Sequence, residues 1–417
     1  MFQITPHVMR YPWGSAEAVT RILGIPNPGG EPVAELWYGA HVRGPSLVGD
    51  GSRTLREELG ERGDELIGPE LVNRYGGELP FLFKVLSAEK GLSIQAHPSK
   101  SQAEEGFARE DRDGIPRDAP HRNYRDDNHK PEGMLALEDF WALSGFRSPE
   151  DIAEGLRSAG AKTLSGELIS ALENAPETGN SRSSGDGNPR LREFYRRLML
   201  APREDQLALL SELLAEIPES VSLRDDDPRW YWIAELNRQF PDDPGALAPL
   251  YLNVILLKPG QVLYMDAGLL HAYLRGTGFE IMANSDNVLR GGCTGKHVDV
   301  AELLKVLRFT DSPPLVSRAH DDGWYDSPFA EFQIAWMRPG AAEHPDFRSS
   351  SGLGTRPAII LVREGKIHIE EGGAVLDLKR GQGCFVPAGD TDILLRSAEK
   401  SSFALATIRA DLTGGAG

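Results

Sequence analysis

A block with helical periodicity, residues 149–248, divides this chain into three parts. On either side of it, apolar residues come in short runs broken by Gly and Pro, a pattern typical of β-strands joined by turns. Inside it, Leu191 and Leu198 belong to an apolar series at helical spacing, and the sequence Ser-Pro-Glu-Asp from Ser148 is typical of a helix N-terminus. The sequence therefore predicts a mainly β protein with an α-helical insert, in which residues 176–188 form a surface loop rich in Gly, Ser and Asn.

An internal repeat connects the two β-like regions. The segments from Leu257 to His271 and from Leu378 to Asp392 carry the same Gly-containing turns at a constant offset of 121 residues. Short turns of this kind also match by chance, which is the alternative explanation. The spacing of Gly, Pro and His resembles the second motif of the cupin family, whose jelly-roll barrels hold a metal ion on inward-facing strand residues. Since only the first copy keeps the histidine, the resemblance implies two cupin-like jelly-roll barrels, with a metal site in the first and none in the second.

Charge and cysteine content limit the function classes. The chain has 417 residues, with 45 Lys and Arg against 62 Asp and Glu, and a formal net charge of −17. This excess of negative charge disfavours nucleic acid and an anionic membrane as partners. An anionic small substrate would then need a local basic pocket. The two cysteines, Cys293 and Cys384, are too few for a disulfide framework. Because the N-terminus does not resemble a signal peptide and no run of about 18 apolar residues occurs, we expect a cytoplasmic protein. The length of the chain predicts two or three domains.

Four residues are candidate metal ligands. Gln95 and His97 are two positions apart in a segment predicted to be a strand, so both side chains point to one face. Glu132 stands at the start of an apolar run, and His271 ends the first copy of the repeat. A lone histidine is more often a core or surface residue, so Gln95 and His97 indicate a metal site only together with Glu132 and His271. An amide, two imidazoles and a carboxylate suit Zn²⁺ best, with Mn²⁺ and Fe²⁺ as open alternatives.

A set of basic residues is a candidate anion site. Arg290 precedes two glycines, where the backbone can approach a ligand closely, and its planar guanidinium suits phosphate oxygens. In this acidic chain, a set of four basic side chains could surround an anion: Arg290, Lys296, Lys84 and Lys130. For an isolated arginine, an ordinary surface charge is the alternative.

Seven motifs together resemble the type I phosphomannose isomerases, zinc-dependent members of the cupin superfamily. The motifs begin at Tyr11 (YPWGS), Ala34 (AELWYGAH), Leu79 (LPFLFK), Gln95 (QAHP), Asn128 (NHKPE), Ala267 (AGLLHAY) and Ser285 (SDNVLRGG). Apart from the helical block, they cover the chain to about residue 290. Cys293 and Gly295 depart from the family pattern, which puts the packing of that loop in doubt rather than the activity.

The resemblance implies a reversible isomerisation between mannose 6-phosphate and fructose 6-phosphate through an enediol. It carries the metal ligands onto four positions: Gln95, His97, Glu132 and His271. Four further positions are predicted to bind the substrate or its phosphate: Ser93, Lys84, Lys296 and Asp286. The family's active-site arginine falls on Arg290, for which we expect an effect on kcat. We expect Lys130, or a metal-bound water, to be the base, with His129 assisting ring opening.

The resemblance also implies three domains. These are a catalytic jelly roll of residues 1–148 and 249–317, a helical insert of residues 149–248, and a C-terminal jelly roll of residues 318–417 without a metal site. We expect a monomer whose partner is a small sugar phosphate. Two alternatives from other classes are a non-catalytic sugar-phosphate-binding cupin, which would tolerate loss of a ligand, and a cupin oxygenase, which ordinarily uses two His and one carboxylate.

Overall fold

The computed structural model describes residues 1–174, 187–338, 346–349, 356–389, 393–397 and 400–409. The strands of these residues are β1 (Phe2–Thr5), β2 (His7–Met9), β3 (Glu35–Tyr38), β4 (Leu47–Val48), β5 (Arg53–Thr54), β6 (Phe81–Ala88), β7 (Ile94–Ala96), β8 (Glu132–Ala136), β9 (Phe140–Phe146), β10 (Leu252–Leu257), β11 (Gln261–Met265), β12 (His271–Ala283), β13 (Leu289–Gly292), β14 (Leu315–Arg318), β15 (Gln333–Met337), β16 (Asp346–Ser349), β17 (Ala358–Glu364), β18 (Lys366–Glu371), β19 (Ala374–Lys379), β20 (Gly383–Val386), β21 (Ile393–Ser397) and β22 (Ser402–Thr407). The α-helices are α1 (Ala18–Leu23), α2 (Leu55–Leu66), α3 (Pro69–Tyr75), α4 (Lys100–Arg112), α5 (Pro149–Ser158), α6 (Ser165–Asn174), α7 (Pro189–Leu200), α8 (Arg203–Glu216), α9 (Arg229–Gln239), α10 (Ala248–Tyr251) and α11 (Val300–Val306). None of these helices is both long and apolar enough to cross a membrane.

The strands form three sheets, and every strand pair within the described ranges is antiparallel. The largest has 11 strands, with the order β14-β11-β8-β12-β6-β3-β2 and the further strands β7, β9, β10 and β13 attached to it. A seven-stranded sheet has the order β15-β22-β17-β20-β1-β4-β5, and a four-stranded sheet the order β16-β21-β18-β19. The prediction of a mainly β protein with helices is confirmed.

The segment with helical periodicity is helical in the structure. Ser148 caps α5, its side chain accepting a hydrogen bond of 3.1 Å from the backbone N–H of Asp151, and Pro149 occupies the first helical position. Strand resumes at Leu252, directly after α10. The apolar faces of these helices pack in one core with Ile94 and neighbouring strand residues, so the helical segment lies against the large sheet. Residues 176–186 of the predicted loop are outside the described residues.

The N-terminal strand pairs with strands from the other end of the chain. In β1, Phe2 lies opposite Phe385 and Ile4 lies opposite Gly383, so the two β-rich regions share one sheet. In addition, Arg318, with which the predicted third domain begins, is the last residue of β14 in the large sheet. The division into three domains therefore stays a prediction. In the second copy of the repeat, Asp392 is outside the described residues.

Strand β12 connects the parts of the large sheet that carry the candidate site. Its first half pairs with β7 and β9, and its second half with β6 and β8. Gly276 lies between the two halves at a φ of 133°, where a Cβ atom would come within 2.8 Å of the carbonyl oxygen of Asp139. Glycine therefore permits the strand to change partners there.

Candidate active site

Three of the four candidate metal ligands form a buried cluster at the ends of neighbouring strands. His97 directly follows β7, Glu132 begins β8, and His271 begins β12. One possible ligand atom of each lies within 4.8 Å of the others. Gln95 lies opposite His271 in the register of β7 and β12, so their side chains are neighbours on the sheet. The sheet thus brings together an amide, two imidazoles and a carboxylate.

Both imidazoles are oriented by main-chain carbonyl groups. Nδ1 of His97 is 2.7 Å from the carbonyl oxygen of Asn287, and Nδ1 of His271 is 2.9 Å from that of Leu269. A carbonyl can only accept, so Nδ1 carries the proton and donates it, which leaves a lone pair on Nε2. These Nε2 atoms are buried without a hydrogen-bond partner, 3.2 Å and 3.3 Å from the Glu132 carboxylate. This donor arrangement fits a zinc ion.

The electrostatics of the cluster favour the protonation states that a metal requires. Burial lowers the pKa of His97 to about 4, and nearby Lys130 acts in the same direction, so the imidazole is neutral at pH 7. Burial opposes the charge of Glu132, but the nearby ammonium of Lys130 acts against this effect, and the pKa of this carboxyl lies well below its usual value. Metal ligation needs a neutral imidazole and an ionised carboxylate, and both are present.

A cavity of about 600 Å³ opens beside the cluster. It brings together seven of the residues singled out from the sequence: Lys84, Ser93, Gln95, Lys130, Asp286, Arg290 and Lys296. Arg290 lies opposite Gln95 in the register of β13 and β7. The predicted metal ligands and the predicted basic residues therefore belong to one site.

His129 is placed apart from these residues. Its Nε2 atom is 2.8 Å from the carboxylate of Glu331, and it is not among the residues that line the cavity. Lys130, the next residue, does line the cavity and its Nζ is 2.8 Å from Oε1 of Glu132. The role of His129 in ring opening stays a prediction.

A buried polar chain behind the cavity was not predicted from the sequence. Nζ of Lys84 is 2.9 Å from Glu280, which also accepts a hydrogen bond of 3.0 Å from the hydroxyl of Tyr273. Burial opposes the charge of Lys84, but Glu280 and Glu35 overcome it and raise the pKa of this lysine. Burial raises the pKa of Glu280. The signal in the sequence was a carboxylate inside the apolar run of β12, since a buried charge is rarely left unpaired.

A second unpredicted group ties together the two loops that carry the site. The side chain of Asn287 donates to the carbonyl oxygens of Asp126 and Asn128, both at 2.8 Å. Its Oδ1 accepts a hydrogen bond of 2.7 Å from the backbone N–H of Arg125. Because the carbonyl oxygen of Asn287 also accepts the hydrogen bond from Nδ1 of His97, this one residue links the metal cluster to the cavity wall.

The comparisons with known proteins decide the family. The family model for the catalytic domain of type I phosphomannose isomerase matches residues 1–149. Mannose-6-phosphate isomerase of Salmonella typhimurium is 35% identical over 94% of this chain and 96% of the relative. The chain belongs to the type I phosphomannose isomerases. The resemblance carried by the seven motifs is confirmed.

Relatives from other sources and solved structures agree with this assignment. Mannose-6-phosphate isomerase of Rattus norvegicus is 33% identical over 96% of each chain. A crystal structure of the Salmonella typhimurium enzyme bound to its substrate, F6P, and to zinc superposes with a TM-score of 0.83 at 33% identity, covering 98% of this chain and 99% of the other. A zinc-bound holo structure of mannose 6-phosphate isomerase also gives 0.83, at 32% identity. The similarity thus extends through the helical segment and the C-terminal strands.

Proposed function

We propose that this chain interconverts mannose 6-phosphate and fructose 6-phosphate and that it uses zinc. The observation that carries the proposal is the buried cluster of His97, Glu132 and His271 beside a cavity lined by cations. Full-length relatives named mannose-6-phosphate isomerase, one of them solved with F6P and zinc, support the same reaction. An anionic substrate also accounts for a basic cavity in a chain with a net charge of −17.

The metal would be held by His97, Glu132 and His271, with Gln95 as the fourth ligand. The two unpartnered Nε2 atoms and the ionised carboxylate are the donors that support this assignment. When bound, zinc would supply Lewis-acid stabilisation of the negative charge that develops on the substrate oxygens. The buried, water-poor surroundings of the cluster would strengthen that effect.

The reaction moves a proton between C2 and C1 of the open-chain sugar through an enediol. We assign this transfer to Lys130, which lines the cavity and contacts Glu132. The ammonium of Lys84, which Glu280 and Glu35 keep protonated, would donate hydrogen bonds to the substrate. Arg290, opposite Gln95, would stabilise the enediolate. Ser93, Asp286 and Lys296 would bind the rest of the substrate.

The finer architecture is part of the same proposal. We infer two cupin-like jelly rolls, with the metal site in the first, and a helical insert of residues 149–248. We also infer a monomer as the active unit. A sugar phosphate as the partner, no nucleic-acid or membrane partner, and a cytoplasmic location complete this interpretation.

The test is zinc-dependent turnover by the purified chain. Zinc content and fructose 6-phosphate formation from mannose 6-phosphate are measured before chelation, after chelation and after zinc is restored. We expect turnover that disappears with the metal and returns with it. As a matched control, His97→Ala should abolish turnover, and His368→Ala, which changes a histidine on β18 paired with Asp377, should not. A fully zinc-loaded chain that binds sugar phosphate without turnover would instead be a non-catalytic binding protein.

A further inference from the structure

Three of the cations that line the cavity are neutralised by acidic side chains. Lys84, Lys130 and Arg43 each contact a carboxylate, at distances between 2.8 and 3.0 Å. A cation in such a pair has its charge and part of its hydrogen-bonding capacity already committed. These three residues are therefore poorly suited to hold a dianionic group as their main task.

Three other cations of the cavity wall have no such partner. Among the residues that the structure describes, no carboxylate lies within ion-pair distance of Arg125, Arg290 or Lys296. Burial lowers the pKa of Lys296, and Arg290 and Arg125 lower it further. Burial also lowers the pKa of Arg290, and the positive charge of Arg125 lowers it further. The three cations thus repel one another at one part of the wall, an arrangement that an anion would stabilise.

Arg125 and Arg290 reach this cluster from different parts of the fold. Arg290 belongs to β13 and lies opposite the proposed ligand Gln95, which places it toward the metal end of the site. Arg125 belongs to the loop between α4 and β8, and its backbone N–H is held by Oδ1 of Asn287 at 2.7 Å. That anchor fixes the backbone from which the guanidinium extends, so less freedom is lost when it binds a ligand.

We propose that Arg125 is a further residue that binds the phosphoryl group of the substrate, together with Lys296. This inference rests on the proposed function. A guanidinium offers two parallel N–H donors to phosphate oxygens, and Lys296 adds a second positive charge. Two cations balance a dianionic phosphate and leave Arg290 for the reacting carbons. Asp286, also on the cavity wall, is occupied by Arg43 at 3.0 Å and so is kept from repelling the phosphate.

The experiment compares wild type, Arg125→Gln and Arg125→Lys as zinc-loaded enzymes. For Arg125→Gln we expect KM for mannose 6-phosphate to rise about 10- to 100-fold, the effect of losing hydrogen bonds to a charged group, with kcat changed less than about threefold. The inhibition constant of inorganic phosphate should rise by a similar factor. Arg125→Lys should fall between wild type and Arg125→Gln, because it keeps the charge and loses the paired donors.

Lys90→Gln is the matched control for the loss of one charge. Lys90 lines the same cavity but is exposed. It is not among the groups that lower the pKa of Arg290 or of Lys296. We expect a rise in KM of less than about threefold that disappears at high salt, since only long-range attraction is lost. The proposal would be overturned by an equal effect of Lys90→Gln and Arg125→Gln, or by a fall of kcat in Arg125→Gln without a rise in KM.

Calorimetric titration with inorganic phosphate separates this inference from the proposed function. If wild type did not isomerise mannose 6-phosphate, the proposed function would be wrong. Phosphate binding that is weakened in Arg125→Gln would still support the anion site. Equal phosphate affinity of wild type and Arg125→Gln would overturn the anion site even in an active isomerase.

Discussion

Lys130 and Glu132 form an ion pair of 2.8 Å between two buried side chains. The same carboxylate faces the Nε2 atoms of His97 and His271, so the cavity lysine and the proposed metal share one negative charge. Removing one partner of a buried pair leaves the other uncompensated. The effect of replacing Lys130 should therefore depend on whether the metal site is filled.

We expect Lys130→Met to lower the free energy of unfolding by about 3 kcal/mol without zinc, and by clearly less with zinc, because the ion also compensates Glu132. Urea unfolding with chelator or with zinc measures both values. Lys258→Met is the matched control, since Lys258 pairs with Asp139 at 2.9 Å on the surface, and its loss should cost less than about 1 kcal/mol. Equal destabilisation of Lys130→Met in both conditions would contradict a shared carboxylate.

The same variant tests the role of Lys130 in catalysis. With zinc bound, we expect turnover to fall about 10²- to 10⁴-fold, the usual contribution of a general base. Exchange of the C2 proton of mannose 6-phosphate with solvent deuterium, followed by NMR, reports the proton transfer directly. Persistence of that exchange in Lys130→Met would assign the transfer to another group.

Removing a metal ligand should abolish the stabilisation that zinc confers. With zinc at about 100 times its Kd, wild type should gain about 2.7 kcal/mol, which thermal unfolding detects as a rise in Tm. His271→Ala should lose most of this gain, whereas His368→Ala, which changes a histidine on β18 of the four-stranded sheet, should keep it. A full zinc-dependent rise of Tm in His271→Ala would show that the metal binds elsewhere.

The residues of the metal cluster could be predicted from the sequence because each of them lies in a recognisable motif. Gln95 lies in the short strand β7 and His97 directly follows it, and Glu132 and His271 each begin a strand with a clear apolar run. Their motifs could therefore be recognised before the register of the sheet was known. The register, which places His271 opposite Gln95, depends on long-range pairing that a single sequence does not specify.

The residues that were missed act through contacts between distant segments. Asn287 was not singled out from the sequence, yet its amide joins the loop of Arg125 to its own loop, 162 residues away. The pairing of β1 with β20 has the same origin, because nothing in a four-residue strand identifies its partner. His129 and Lys130 illustrate a different point, since neighbouring residues of an extended segment point in different directions, and of these two Lys130 lines the cavity.

Asn287→Ala should weaken zinc binding although Asn287 is not a ligand. It removes the hydrogen bonds that fix the loop whose carbonyl orients His97, and loss of such support typically costs 10- to 100-fold in metal affinity. Zinc titration against a competing chelator measures this. Asn253→Ala is the matched control, since Nδ2 of Asn253 also donates to three carbonyl oxygens, but in the strand pair β9 and β10. It should lower stability and leave zinc affinity unchanged.

Arg290→Gln should act on the chemical step. We expect kcat to fall about 10²- to 10³-fold with KM for mannose 6-phosphate changed less than about threefold, because the guanidinium would contact charge that develops only in the transition state. Arg275→Gln provides the control, since Arg275 contacts Tyr231 and Glu235 away from the cavity, and it should leave both constants unchanged. A rise in KM with normal kcat would instead place Arg290 on the phosphate.

His41 should make the metal-free protein less stable in mild acid. Burial lowers its pKa from 6.5 to about 4, with Asp286 opposing the shift. Between these values the unfolded chain binds the proton and the folded chain does not, so the contribution is complete above pH 6.5 and is lost as pH falls toward 4. One such histidine contributes at most about 1.4 kcal/mol per pH unit. Unfolding with chelator from pH 7 to 4.5 should therefore show a shallower pH dependence for His41→Gln than for wild type or for His320→Gln, which changes an exposed histidine. Parallel curves for all three proteins would mean that His41 is protonated equally in the folded and unfolded states.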